Sequence, residues 1–221
     1  YDLTELQRDA NKLYDMSPKE TLNVMQNLYE KHKALTYPRT DSRYITDDIV
    51  PTLTDRLKAV AKGDFTQFVS EIIKNKKSIA KVCVNNNKVS DHHAIIPTEQ
   101  SANILSMTTA EKRIYMLVVK RFLTCFYDNY VYENIKATLE CMGETFIASG
   151  NSIIEKGWKV VTSNVTEQEE EEQQNLPHLK EGESYICNTT QLKQMKTTPP
   201  PRYTEATLLS AMENPSKFLK D

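Results

Sequence analysis

The sequence predicts an α+β protein in which a helical first part gives way to a mainly β second part near Phe126. Three observations carry this. Up to about Tyr127 the apolar residues recur at three- and four-residue spacing, the period of a helix with one buried face. From Tyr130 onward apolar and polar residues alternate, as in a half-buried strand. An apolar fraction of 39% with 26% charged residues over 221 positions is enough for a folded core, and the length fits one or two domains.

Asp2 to Tyr14 reads as a helix with a stripe of Leu3, Leu6, Ala10 and Leu13, and Thr4 with Gln7 as its capping box. Ser17 and Glu20 make a second capping box, with Pro18 at the first helical position of a helix running to about Lys33. Its end carries Lys31, His32 and Lys33, which suit the negative end of the helix dipole. Thr46 to Asp48 starts another helix, interrupted at Pro51, resumed over Leu53 to Ala61 and ended by Gly63. Asp64 to Lys74 follows, with Phe65, Phe68, Val69 and Ile72 inward, then a turn over Asn75 to Ser78. A short apolar segment, Ala80 to Val84, precedes an asparagine loop at 85–87. Thr108 to about Tyr127 is the longest helix, capped through Glu111, with Ile114, Leu117, Val118, Arg121 and Phe122 on its inner face.

Tyr130 to Glu140, a turn at 142–144 and Thr145 to Ser149 form a hairpin, with Ile135, Ala137, Leu139 and Cys141 on one face. Ser152 to Val161 and Gly182 to Lys193 read as further strands. Between them Thr166 to Asn175 is acidic and of low complexity, an expected disordered or exposed insertion. Pro199 to Pro201 is a stiff connector, and Thr204 caps a last helix through Met212.

Several classes are excluded. No apolar run approaches the roughly 18 residues a membrane helix needs, and there is no basic-then-apolar leader. The four cysteines stand far apart with no Cys-x-x-Cys pair, so no zinc site is expected and free thiols in a reducing cytoplasm are. Net charge is −2, but five of the acidic residues lie between Glu167 and Glu172, so the body is mildly basic and a local phosphate-binding patch is open to it. The chain opens in a helical pattern without Met and stops at Lys217 to Asp221 with no terminating element, which suggests a piece of a longer protein.

The chemistry concentrates in Thr36-Tyr37-Pro38-Arg39-Thr40-Asp41-Ser42-Arg43-Tyr44. This stretch holds no aliphatic residue, and Pro38 keeps Tyr37 out of helical geometry, so it is a loop. A tyrosine oxygen can attack a phosphodiester and hold the cleaved strand as an ester. Its ordinary pKa near 10 demands help. Arg39 can supply that help by gripping phosphate oxygens and stabilising the transition-state charge, with Asp41 orienting the guanidinium. By composition alone the same stretch is also a solvated loop around a half-buried tyrosine. Of two adjacent histidines, His92 and His93, only one can face a given site. An imidazole there can contact a phosphate or carry a proton. Arg202, Tyr203 and Thr204 sit at a helix N-terminus, where backbone amides favour an anion; the same residues also suit an ordinary capped helix.

Tyr37 to Tyr44 resembles the active-site signature of type IA DNA topoisomerases, most closely of the topoisomerase III branch. Asp91-His92-His93-Ala94-Ile95-Ile96-Pro97-Thr98 is similar to that family's second motif, and Pro199 to Ala206 to its third, in the family's order. Leu28-Tyr29-Glu30 ahead of the tyrosine agrees too, so the resemblance spans nearly the whole chain. It implies part of a four-domain torus: residues 1–125 as a helical gate bearing the tyrosine, 126–192 as a β-rich arch and hinge, and 193–221 as the start of a helical base domain. It further implies Tyr37 as nucleophile, Arg39 and His92 as catalytic partners, Thr40 and Asp41 as loop supports, and Arg43, Thr98, Arg202 and Thr204 as DNA contacts. The implied reaction transiently cleaves single-stranded DNA through a 5′-phosphotyrosyl link, passes a strand and religates without ATP. The result is relaxation of negative supercoils or decatenation in the cytoplasm, on the nucleoid. The family's Asp-x-Asp-x-Glu cluster is absent here. Magnesium is therefore expected outside this chain, on the missing Toprim domain of the same protein, and the fragment alone is expected to be inactive. Tyrosine recombinases need a His-x-x-Arg element, whereas Ile95 and Ile96 stand at the third position after the two histidines. A non-catalytic single-stranded-DNA-binding or protein-interaction module is the alternative.

Overall fold

The structure, a computed structural model of the chain, describes residues 1–162 and 179–217. The acidic segment at 166–175 lies outside the described residues, as does the end of the chain from 218. The chain divides into two compact units, Tyr1–Tyr127 with Tyr203–Asp221, and Asp128–Arg202.

The first unit is helical: α1 (Leu3–Tyr14), α2 (Pro18–Glu30), α3 (Leu53–Val60), α4 (Phe65–Lys74), α5 (Thr109–Thr124) and α6 (Glu205–Glu213). α2 packs on α1 and α5, α3 on α4, and α6 on α1. Leu6, Met25, Leu28, Ile114, Val118 and Leu123 are fully buried between them. The caps are local chemistry. Ser17 accepts from the Glu20 N–H with Pro18 at the first turn, and Thr108 and Glu111 bond reciprocally at the head of α5.

Two expectations change in this unit. α1 is capped by Asp2, which accepts from the Glu5 N–H at 2.6 Å, and not by Thr4 with Gln7. A carboxylate one residue ahead of the helix reaches the free amides first. Arg121, expected on the inner face of α5, is exposed; its guanidinium lies 4.4 Å from the centre of the Tyr1 ring, so the long side chain covers an aromatic face rather than entering the core. α6 falls in the stretch 193–221 expected to open a third domain. It holds α1 through an ion pair of Arg8 with Glu213 and through Ala206 N–H donation to Asn11 Oδ1 at 3.1 Å.

The second unit is built on an antiparallel pair, β1 (Val131–Cys141) and β2 (Glu144–Glu155). Met142 and Gly143 close it with φ of 53° and 83°, the positive values a two-residue hairpin turn needs to match strand twist. Ile135, Ala137 and Leu139 are half-covered while their neighbours are exposed, as alternation predicted; Cys141 is exposed. Two further strand expectations do not hold. β2 ends at Glu155, and Gly157 turns the chain into helical backbone at 159–162. A Cβ on Gly157 would come 2.3 Å from the Asn129 carbonyl oxygen, so only glycine fits. Residues 182–193 are exposed and form no ladder among the described residues, because alternation makes a strand only where a partner edge takes its hydrogen bonds. The mixed helix-and-sheet class is as the sequence predicts.

Candidate active site

α2 delivers the tyrosine loop. Lys33 takes φ 53°, turning the chain off the helix, and Thr98 Oγ1 donates to the Lys33 carbonyl at 2.5 Å, holding that turn. From there residues 34–45 run beside the histidine segment. Leu35 pairs with Pro97 in an antiparallel bridge. The Thr36 N–H donates to the Ile96 carbonyl at 3.0 Å, while Thr36 Oγ1 accepts from the Ile96 N–H at 2.9 Å and donates to the Ala94 carbonyl at 3.2 Å. The Ala94 N–H donates to the Tyr44 carbonyl at 2.8 Å, and Ile45 bridges Val84. Pro38, Leu35 and Ile95 are buried beneath. The apolar residues around each polar motif thus anchor it, and the hydroxyls that a composition reading leaves to solvent make the cross-links.

This seam brings Tyr37 and His92 together. Their ring centres are 4.2 Å apart at 37°. Tyr37 is half-buried and His92 exposed. Tyr29, from the last turn of α2, meets the Tyr37 ring edge-on at 5.6 Å and 87°, a favoured aromatic geometry. The nucleophile candidate is therefore held between an edge and an imidazole. Arg39, two residues on, is exposed and makes no hydrogen bond or ion pair among the described residues, which leaves its fork available to an anion. Thr40 is buried: its hydroxyl donates to the His92 carbonyl at 2.8 Å and accepts from the Ser42 N–H at 3.1 Å, and its own carbonyl accepts from the Leu3 N–H at 3.0 Å. Thr40 is the direct tie between the tyrosine loop and the histidine.

The other expected residues sit as follows. Asp41 is exposed and has no bond to Arg39, so it does not orient that guanidinium in this structure. Arg43 donates to Asp2 at 2.6 Å and to Glu5 at 3.4 Å, and the Asp2 bond raises its already high pKa. The Thr98 hydroxyl is committed to Lys33. Thr204 caps α6 with Thr207, and Arg202 is exposed in the second unit. His93 is half-buried; its Nδ1–H donates to the Ala94 carbonyl at 2.8 Å, and burial lowers its pKa.

Tyr29 entered the sequence reading only within Leu28-Tyr29-Glu30, with no role at the site, and two further supporting groups had no signal there. Arg56 is buried and donates to the Pro97 carbonyl at 2.7 Å and to Thr52 Oγ1 at 2.8 Å, with Glu99 at 2.6 Å. His32, just ahead of the loop, has Nε2 3.4 Å from Glu111 Oε2, both side chains almost fully buried. Among the described residues no three of His, Cys, Asp and Glu converge to hold a metal ion.

A protein-family profile described as DNA topoisomerase matches residues 1–216. The DNA topoisomerase 3 proteins of Bacillus cereus and Bacillus subtilis are each 48% identical over 223 aligned residues, covering 99% and 100% of this chain respectively and 31% of each relative. The chain thus spans about a third of the length of these curated relatives. The full-length topoisomerase I structure from Thermotoga maritima superposes with a TM-score of 0.64 at 23% identity, covering 96% of this chain and 34% of that one. That likeness supports the fold.

Proposed function

The chain belongs to the DNA topoisomerase family, and on that premise we propose that it is the tyrosine-bearing part of a type IA DNA topoisomerase acting on single-stranded DNA. The single observation that carries this reading is the tilted contact of Tyr37 with His92, with the Arg39 guanidinium, unpaired among the described residues, two residues on. In the proposed reaction the Tyr37 oxygen bonds to phosphorus and the bond to the 3′ oxygen breaks, giving a 5′-phosphotyrosyl ester and a free 3′-hydroxyl. Arg39 neutralises the charge gathering on the phosphoryl oxygens. His92, within reach of the same phosphate, donates a hydrogen bond or passes a proton toward the leaving oxygen. Religation is the reverse attack by the 3′-hydroxyl, so the ester stores the energy and no nucleotide is consumed. Thr40 acts as a positioning residue by fixing the His92 backbone, and Asp41 supports the loop. Arg43, Thr98, Arg202 and Thr204 are proposed to contact the strand.

The proposal extends to the whole protein. Residues 1–125 act as gate, 126–192 as arch and hinge, and 193–221 as the start of the base. The Toprim and remaining base domains would come from parts of the protein outside this chain, and magnesium would be held there. The full enzyme then relaxes negative supercoils or decatenates in the cytoplasm. The 221-residue chain alone binds single strands weakly and does not turn over.

The test is Tyr37→Phe in the full-length protein. Denaturant-trapped covalent protein–DNA adduct should vanish while single-strand binding persists. Undiminished adduct would overturn the assignment in favour of a non-catalytic binding module.

A further inference from the structure

The proposed reaction leaves one cation beside the tyrosine loop without a task. The two segments that meet at Tyr37 and His92, residues 36–45 and 88–98, carry Arg39, Arg43 and Lys88. Arg43 is bonded to Asp2 and Glu5. Lys88 is exposed and makes no ion pair among the described residues. We propose that the Lys88 ammonium, aimed by Tyr44, binds a backbone phosphate of the single strand that lies across Tyr37, flanking the phosphate that is attacked. This rests on reading the chain as the tyrosine-bearing part of a DNA-cleaving enzyme, and adds a strand contact to that reading.

Lys88 is fixed at both its backbone and its tip. It ends a single 3₁₀ turn over Asn86–Lys88, and its N–H donates to the Asn85 carbonyl at 3.2 Å. Its carbonyl accepts from Ser42 Oγ at 2.8 Å. Its Nζ donates to the Tyr44 hydroxyl at 3.1 Å and lies 4.8 Å from the centre of the Tyr44 ring. Ser42 is buried, and its Oγ also accepts from the Tyr44 N–H at 3.2 Å. One buried hydroxyl therefore holds both the lysine backbone and the tyrosine. The Ser42 N–H in turn donates to Thr40 Oγ1, the same hydroxyl that donates to the His92 carbonyl. Lys88 thus hangs on the bonds that place His92. Only four residues separate the two, so their Cα atoms stand at most about 14 Å apart. An imidazole and a long lysine at that separation can hold neighbouring phosphates of one strand.

The chemistry suits a phosphate. An ammonium has three N–H donors. Tyr44 takes one of them and, being neutral, leaves the charge whole and two donors for phosphate oxygens. The ring and hydroxyl keep the flexible stem in one place, so less freedom is lost when the strand arrives. Asp41 and Asp91, the carboxylates of the two segments, are exposed and pair with neither Lys88 nor Arg39 among the described residues. Neither cation is neutralised by the loop itself. The planar fork of Arg39 fits the phosphoryl group in reaction, whereas the point charge of Lys88 fits a phosphate that is only held.

The experiment measures binding of a cleavable single-stranded oligonucleotide to the full-length protein over a salt series. Lys88→Gln should weaken binding several-fold and make the slope of log affinity against log salt shallower by about 0.7, the loss of one phosphate contact on a single strand. Lys88→Arg should restore the slope. Tyr44→Phe keeps the charge and the ring, so the slope should stay while affinity falls less than in Lys88→Gln. Phosphates flanking the cleaved bond are then replaced one at a time by neutral methylphosphonate. One position should weaken the wild type and leave Lys88→Gln unaffected. An unchanged slope in Lys88→Gln, or methylphosphonate losses equal in both proteins at every position, would overturn the proposal. Denaturant-trapped adduct formed by the wild type on the same oligonucleotide tests the underlying reading separately. Adduct with an unchanged Lys88→Gln slope keeps the Tyr37 assignment and removes Lys88. A shallower slope without adduct keeps the phosphate contact and removes the nucleophile.

Discussion

Replacing Thr40 with valine isolates the bond between the tyrosine loop and the histidine. Valine keeps the shape of threonine, so packing around a side chain only 6% exposed is preserved. What is lost is one oxygen with two partners, the His92 carbonyl at 2.8 Å and the Ser42 N–H at 3.1 Å. The Ser42 amide is buried and has no solvent to turn to, a penalty of about 1–3 kcal/mol, while the carbonyl of the exposed His92 can recover water and loses about 1 kcal/mol or less. The sum is about 1–4 kcal/mol, which for a chain of this size lowers the melting temperature by about 2–16 °C. Calorimetry of the purified chain measures it. Thr40→Ser keeps the oxygen, drops one methyl and should lose only about 1 kcal/mol. In the full-length protein Thr40→Val should also slow adduct formation without changing single-strand affinity, since His92 is loosened and Arg39 is not. Equal melting of the valine and serine variants would refute the reasoning, because packing rather than hydrogen bonding would then explain the site.

Arg56→Leu orphans the Pro97 carbonyl under the histidine segment and should cost about 2–4 kcal/mol, read as a lower urea midpoint with unchanged slope. Burial alone would raise Glu111, but the bonds with Thr108 and then His32 outweigh it, so its folded pKa lies below the ordinary carboxylate value. Its contribution to stability is therefore complete above about pH 4.3 and is lost as pH falls through the lower folded value; Glu111→Gln should flatten that acid limb in melts taken from pH 5 downward. Gly157→Ala combines a left-handed φ of 45° with a Cβ 2.3 Å from the Asn129 oxygen. It should cost about 2 kcal/mol or more and appear as faster amide exchange in the β1–β2 hairpin with the first unit unaffected.

What could be read from sequence was what short stretches decide alone. The Ser17–Glu20 and Thr108–Glu111 caps need only three residues' separation, and both are present. The hairpin turn needed only Met142 and Gly143 between alternating runs. Failures came where the deciding partner lies far along the chain. Residues 182–193 alternate but have no ladder among the described residues. Arg121 shares the period of buried residues, yet its neighbour is the ring of Tyr1. At the site, Tyr37 and His92 were identified by motif, whereas the elements that unite them are long-range. Asp41 stands two positions after Arg39 and was expected to steady it, while Thr40, bonded across 52 positions, makes the tie to the histidine. Arg43 could be read for its charge alone; its bonds to Asp2, the cap of α1, and to Glu5 in α1 come from residues about 40 positions away.

The seam of Thr36, Thr40 and Tyr44 with Ala94, Ile96 and His92 limits how far the tyrosine loop and the histidine segment can move apart. Because these two segments are sewn at several points, the ring oxygen and its imidazole neighbour cannot part without unpicking the whole row. A strand esterified to Tyr37 would travel with the histidine beside it, and resealing would begin with one of the two groups already in attendance.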